Sequence, residues 1–402
     1  MTGQPLAGVK VVEVGMWMFA PTATAILADL GAEVVKVEHP AGGDPGRGLQ
    51  HALSGTDGPA VFVEIPNHGK RSIGLDLTRP EALEALARLV AEADVFVTSL
   101  LPKARRALGV DVDDIRAMNP SIVYARASGA GPSGPEAERG GFDLASAWAR
   151  GGVAHRLTPP GGEPPMMPPS FFDLQAAVAL AGAIGMALFV RERTGEAPVV
   201  DTALLNVGMW ALGPDVALAP YGGAQGVLRD RHRPGNPTTN WYRTADDRWL
   251  YLVHLQSDRH WPELCERIGH PELVSDPRFV DHASRSAHQA ACVAVLDEIF
   301  ASATLEEWRE RLAGSGGVWA AVQSPAELSD DPQVVANGYL RVLESRTGPP
   351  SALVAPPFQF DGVPTGPAVA APEPGEDTEA VLLELGFSWE EIARGKELGA
   401  FQ

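Results

Sequence analysis

The sequence predicts an α/β chain built on a parallel sheet, with a smaller α/β insert in its second half. Near the N-terminus a β-rich run, Val9-Lys10-Val11-Val12-Glu13-Val14, ends at Gly15. A helix-like run with Pro21 in its first turn follows, and Gly31 stops it before a second β-rich run, Ala32 to Glu38. Strand, helix, strand is the βαβ unit; its crossover makes the strands parallel, and its handedness leads to a doubly wound sheet. Near residue 222 the composition shifts to Gly, Arg and Pro, and a different pattern begins, which marks the insert.

The alternation continues in order. Arg71 to Leu77 reads as a strand, a helix opens at Arg79-Pro80-Glu81 and runs to about Glu92, and Asp94-Val95-Phe96-Val97 is a strand. Asp113 to Met118 is a short helix and Ser121 to Ala125 another strand. Two turn-rich loops follow, Gly129 to Pro135 and Pro159 to Pro169, both of the kind that carries function on a rigid scaffold. Leu174 to about Val190 is apolar and Ala-rich and reads as a buried helix, its Gly182 and Gly185 suited to close packing against neighbouring backbone. Val199-Val200-Asp201 begins the next element. Asn240 to Thr244 and Trp249 to Val253 form a hairpin around 245–248, followed by helices over 257–268, 284–301 and 304–313. The expected organisation is 1–224 as the large part, 225–318 as the insert, and 319–402 as a return to the large part. That return carries a strand end at Phe358-Gln359-Phe360 and helices over Thr378–Gly386 and Ser388–Lys396, the second capped by Ser388 with Glu391 three residues on.

Bulk properties narrow the function. The chain has 402 residues, 45% hydrophobic and 21% charged, enough for a sizeable core and two domains. Lys plus Arg is 32 against 51 Asp plus Glu, a formal charge of −19 that repels nucleic acid and anionic membranes. Neither is expected as a partner; an anionic ligand needs a local basic patch or a helix N-terminus. Cys265 and Cys292 make neither a disulfide framework nor a zinc pattern, which suits a reducing cytoplasm. No signal peptide is evident at Met1-Thr2-Gly3-Gln4-Pro5, and the apolar run near 176–190 is shorter than the roughly 20 residues of a membrane span.

Several chemistries fail on the residues. The Gly15 turn lacks Gly-x-Gly-x-x-Gly, and Met16-Trp17-Met18 puts bulk where a pyrophosphate would approach the backbone. No Walker A sequence or Gly-x-Ser-x-Gly elbow occurs. His254 and His260 have no acidic partner at metal spacing, so no metal site is expected. Asp173 is the informative residue. It follows a Pro-rich loop at the mouth of the apolar helix, where unpaired N–H groups and a partial positive charge favour an ionised, fixed carboxylate. Two roles fit, N-cap and carboxylate nucleophile.

The order and spacing of short segments resemble the class III CoA-transferases, the formyl-CoA transferase and carnitine CoA-transferase family, which is related to the 2-methylacyl-CoA racemases. The pieces include Leu6 to Glu13, Leu27 to Glu38, Gly42 to Arg47, Gly69 to Leu77, Ser128 to Pro135, Gly141-Phe142-Asp143-Leu144, Val200 to Leu205, Asp276 to Phe279 and Gly375 to Thr378. The resemblance implies a Rossmann-like large domain built from both chain ends, a small inserted domain, and an interlocked homodimer. It makes Asp173 the nucleophile of a CoA transfer between an acyl-CoA and a carboxylic acid, with CoA a substrate and no permanently bound cofactor. Racemase relatives carry a His as base where this chain has Phe142, and a phenyl ring moves no proton. A relative that binds an acyl-CoA without turnover is the third alternative. Asp143 is expected to bond nearby backbone N–H groups.

The resemblance also maps a CoA site, and this chain departs from the family there. Met18-Phe19 replaces Gln-Ala before the first-turn Pro, and His39 stands at a position often basic. Ser99-Leu100 replaces Asn-Phe, and Ala130 replaces an aromatic residue between Gly129 and Gly131. Leu75 belongs to the same implied set. Lys70, Arg71, Lys103, Arg105 and Arg106 are the candidate anion partners, with solvated surface charge as their ordinary role.

Overall fold

A computed structural model describes residues 4–49, 60–222, 230–344, 350–366 and 369–402. The chain divides into two compact units, Met1–Gly226 with Pro332–Gln402, and Val227–Asp331. The domain boundary expected at 224/225 lies outside the described residues.

The larger unit is built on six parallel strands. Its elements are β1 (Lys10–Val14), α1 (Phe19–Asp29), β2 (Glu33–Glu38), β3 (Arg71–Gly74), α2 (Pro80–Ala91) and β4 (Val95–Thr98). They continue with α3 (Pro102–Ala107), α4 (Val112–Met118), β5 (Val123–Ser128), α5 (Phe171–Thr194) and β6 (Val199–Ala203). The order across the sheet is β3-β2-β1-β4-β5-β6, so the chain reverses its direction of travel between β1 and β4. All five pairings are parallel. The strands read as near-continuous apolar runs because both faces are covered. Alternate residues sort cleanly: Val11, Val95, Val97, Val123 and Ala125 face α1 and α5, while Val12, Val14, Phe96 and Tyr124 face α2 and α4. α5 begins at Phe171 and runs to Thr194, a turn longer than expected at its start. Gly182 and Gly185 do not serve close packing: a Cβ on either would meet nothing within 4 Å among the described residues.

One buried charge network ties the sheet to the β1–α1 turn. Glu13, fully buried, accepts from Lys36 Nζ at 2.7 Å, Lys70 Nζ at 2.6 Å and Thr24 Oγ1 at 2.5 Å. Lys36 reaches Asp44 at 2.8 Å, and Asp44 accepts the Trp17 N–H at 3.0 Å. Burial alone would raise the Glu13 carboxyl, but Lys36 and Lys70 outweigh it and hold it at about 2. Burial lowers Lys70 to about 8, its pairing with Glu13 opposing the shift.

The smaller unit is an antiparallel sheet, β7 (Thr239–Arg243), β8 (Trp249–Val253) and β9 (Val318–Ala321), packed with α6 (Ser257–Arg267), α7 (His282–Ala287), α8 (Gln289–Phe300) and α9 (Leu305–Leu312). The helix expected over 284–301 is two. Asp281 caps the first through the Ser284 N–H at 2.7 Å, and the chain turns at His288. The insert also extends past 318: β9 pairs with β8 (Val253 with Val318, Leu250 with Ala321), so the return starts near Pro332 rather than at 319.

The return ends in α10 (Thr378–Glu384) and α11 (Trp389–Glu397), the latter with the expected Ser388–Glu391 capping box. It covers the β3 edge: Phe401 bridges Leu75, and Asp377 accepts the Ser72 N–H at 2.9 Å. Covering an edge removes a site for intermolecular strand pairing.

The buried network makes a stability prediction. Glu13→Ala strips the buried Lys70 ammonium of its carboxylate, leaving it the Pro21 and Pro66 carbonyls, and leaves Lys36 with Asp44 alone; it lowers the unfolding free energy by about 3–5 kcal/mol in urea titration. Glu92→Ala, which removes the exposed partner of Lys10, costs about 1 kcal/mol or less. Equal losses contradict this assignment.

Candidate active site

Parallel sheets bind ligands beyond the carboxyl ends of their strands, at the point where strand order reverses. A cavity of about 360 Å³ opens there, beyond the ends of β1, β4 and β5, and Asp173 lines it. Its wall includes Met16, Trp17, Phe19, Ser99 and Leu100 from the β1 and β4 turns, and Gly129, Gly131, Gly140, Gly141 and Phe142 from the Gly-rich segments. Those segments cross backbone to backbone. A Cβ on Gly141 would stand 2.9 Å from Gly129 Cα and collide with Ser146 Oγ, so glycine is required on both sides. The crossing delivers Asp143, and a single π-helical segment, Leu144–Ala149, follows it.

Asp173 lies inside the first turn of α5 and not at its N-cap. The N-cap is Ser170, left-handed at φ 63° and making no side-chain cap bond. The capping duty falls to Asp143, which accepts from the Leu144 N–H at 2.8 Å and from the Phe172 N–H at 3.2 Å, satisfying one of the helix's orphan donors. That is the backbone-binding role expected of Asp143. Asp173 itself accepts no hydrogen bond from a described residue. Burial pushes its carboxyl up to about 7 and the nearby Asp143 adds to the shift, so it is only part-ionised near neutrality, contrary to the sequence expectation. Burial also raises Asp143. The partial positive charge of the first helical turn opposes both. The arrangement is a half-buried carboxylate, unpaired, facing a cavity: able to attack an electrophile and poorly stabilised as a resting anion.

The other sequence candidates separate. Phe19, Ser99, Leu100, Arg105, Gly129 and Gly131 line the Asp173 cavity. His39 and Leu75 line an adjoining cavity of about 200 Å³ beyond β2 and β3, which shares Met16 and Leu100 with the first. The rest lie on neither wall. Met18 is buried, and Ala130, part-buried, belongs to neither lining. Lys70 is spent on Glu13 and the Pro21 and Pro66 carbonyls. Arg71 pairs with Glu384 at 2.6 Å and Arg106 with Glu138 at 2.7 Å, both on the surface. Lys103 is exposed. Even Arg105 is engaged, with Asp111 at 3.0 Å and the Leu100 carbonyl at 2.8 Å. Sequence reasoning missed Arg126, which makes two bonds to Asp201 at 2.7 and 2.8 Å in the cavity wall. The signal was an arginine inside the apolar run of β5. Among the described residues no group of His, Cys, Asp and Glu is placed to hold a metal ion.

A family model described as CoA-transferase family III matches residues 6–378. The chain is 30% identical over 394 residues to the (R)-2-hydroxy-4-methylpentanoate CoA-transferase of Clostridioides difficile, covering 98% of each. It is 33% identical over 344 residues to the probable fatty acyl-CoA transferase Rv3272 of Mycobacterium tuberculosis, covering 83% of this chain and 86% of that one. Among solved structures, a CAIB/BAIF family protein from Brucella suis superposes with a TM-score of 0.82 at 28% identity, covering 96% of this chain and all of that one.

The raised Asp173 carboxyl predicts a pH-dependent stability difference. Between 3.8 and about 7 the folded chain holds a proton that the unfolded chain has released, so this group costs stability as pH rises through that window. Asp173→Asn cannot ionise and escapes the cost. Its stability relative to the parent, from thermal unfolding at a series of pH values, therefore climbs across the window and is flat on either side. A difference independent of pH contradicts the shift.

Proposed function

The chain belongs to CoA-transferase family III, and from that premise we propose that Asp173 is the nucleophile that carries CoA from an acyl-CoA donor to a carboxylic acid acceptor. The protein is an enzyme of the CoA-transferase class, EC 2.8.3 type, and its substrates are CoA thioesters and carboxylic acids. The observation that carries the residue assignment is the unpaired carboxylate of Asp173 on the wall of the cavity at the strand-order switch.

In the proposed sequence, an Asp173 oxygen attacks the donor's thioester carbonyl, the C–S bond breaks, and CoA leaves as its thiolate. The product is a mixed anhydride. The thiolate then attacks the aspartyl carbonyl, releasing the donor as its carboxylate and leaving an aspartyl-CoA thioester. The acceptor carboxylate runs the same two steps in reverse and departs as its own CoA thioester. No net proton or water is consumed, and the thioester free energy is conserved. Backbone N–H groups of the Gly140–Gly141 and Gly129–Ala130 pairs are the candidates to stabilise the oxyanions, the Gly131 N–H being given to Ser128 Oγ. CoA would run through the two adjoining cavities, past Phe19, Ser99, Leu100, Gly129 and Gly131 in one and His39 and Leu75 in the other.

Phe142 stands where a racemase would need a base, and its ring packs edge-on against Trp17. A Rossmann-like large domain and an interlocked homodimer belong to the same proposal. Their support is the β3-β2-β1-β4-β5-β6 order and the apolar surface of the larger unit, where Met186 (67%), Phe189 (64%) and Trp210 (84%) are exposed. Such surface also accounts for an apolar helix, α5, long enough to cross a membrane yet packed on one face into the sheet core. In this proposal the protein is a cytoplasmic dimer, with Cys265 and Cys292 both free thiols, and a monomer mass by sedimentation equilibrium removes the dimer.

Incubation with a panel of acyl-CoA donors followed by hydroxylamine converts Asp173 to its hydroxamate, detected by peptide mass spectrometry. Asp173→Asn shows no adduct and loses transfer by about three orders of magnitude or more. Turnover without an Asp173 adduct sinks the assignment, and α-proton exchange without transfer supports the racemase instead.

A further inference from the structure

We infer that the aromatic pair Trp17–Phe142 is the acyl-recognition element of this site, and that it selects apolar acyl groups, aromatic or branched, over dicarboxylic ones; this rests on the transferase function proposed above.

The first observation is backbone conformation. Trp17 sits at φ 70°, a left-handed conformation that bulky residues rarely adopt. It is held there. Its N–H donates to Asp44 Oδ1, which also accepts the Gly46 N–H at 2.8 Å. A Cβ on Gly46 would stand 3.2 Å from Trp17 Cα, so the two segments are in close contact. Asp44 is itself anchored by Lys36 in the buried network. Conformations of this kind persist where the surroundings over-determine them, and they gather at ligand clamps.

The second observation is where the ring goes. Trp17 meets Phe142 edge-to-face, ring centroids 5.5 Å apart and planes at 81°. Both rings line the cavity that holds Asp173, and Phe142 is 57% exposed, most of its aromatic face uncovered by the described residues. Phe142 precedes Asp143, whose carboxylate holds the Phe172 N–H beside the nucleophile. Trp17 and Asp173 are therefore linked through a short chain of fixed contacts. Phe19 and Leu204 extend the same apolar wall.

The third observation is charge. A dicarboxylic acyl group brings a second carboxylate that must find a cation or remain in water. Arg105 and Arg126 in the wall are already matched by Asp111 and Asp201. Arg139 stands at the mouth with its side chain 74% exposed and 3.6 Å from Glu136, where water and salt screen it.

The test compares phenylacetyl-CoA, propionyl-CoA and succinyl-CoA as donors, reading kcat/KM and the hydroxylamine-trapped adduct at Asp173. The parent enzyme is expected to prefer phenylacetyl-CoA over succinyl-CoA by about 100-fold or more. Trp17→Gly, where glycine accepts the left-handed backbone without strain, lowers kcat/KM for phenylacetyl-CoA about 10-fold more than for propionyl-CoA. Phe142→Leu keeps apolar volume and shows the same selectivity change in smaller degree, which separates recognition from loss of fold. Succinyl-CoA turned over as well as phenylacetyl-CoA overturns the inference, as does a Trp17→Gly loss equal for all three donors. No adduct from any donor in the parent enzyme overturns the nucleophile assignment as well.

Discussion

The larger unit depends on one buried carboxylate. Glu13, in the central strand and fully excluded from water, is bonded by two lysines from different parts of the chain, Lys36 and Lys70, and by Thr24. A charge so placed is tolerable only when paired and fully bonded, so these partners must arrive together. Their arrival fixes β1 against β2, brings the chain before β3 against α1, and through Lys36 positions Asp44. Asp44 in turn holds Trp17 over the cavity. A network that supplies little net stability thus sets the shape of the turn on which the site is built.

The second constraint is electrostatic. Asp143 satisfies an N–H at the start of α5, and in doing so places a second carboxyl near Asp173. The same contact that fixes the nucleophile's backbone makes its ionised form less favourable. For a carboxylate that must attack a thioester this is useful. A nucleophile bound by several donors would be a stable anion and a sluggish one, whereas Asp173 is bound by none among the described residues. Two acids so close titrate as a pair, and any pH profile reports the pair.

The strands were legible because parallel strands buried on both faces leave valine-rich runs, as in Val95-Phe96-Val97 and Val34-Val35-Lys36-Val37. The family was legible because many short segments kept their order. What escaped was non-local. The start of α5 was misplaced because Ser170 takes a left-handed turn and the cap comes from Asp143, 29 residues before the Phe172 N–H that it accepts. Lys70 looked like an anion partner because nothing in its neighbourhood announces Glu13, 57 residues away. The insert's end was missed because β9 is short, and only pairing with β8 makes it a strand. Trp17 read as mere bulk, since its conformation depends on Asp44.

The central claim, that the acyl and CoA groups pass through Asp173, is tested most directly with an acceptor acid labelled with heavy oxygen in its carboxylate. In the covalent route the acceptor oxygen becomes the anhydride bridge, and the CoA thiolate attacks the acceptor carbon, leaving that oxygen on Asp173. After turnover with an unlabelled donor, the peptide containing Asp173 carries heavy oxygen, and the released donor acid acquires it in later cycles. Full turnover with an unlabelled Asp173 peptide would contradict the account, because it would mean that acceptor and donor react directly and that Asp173 only borders the site.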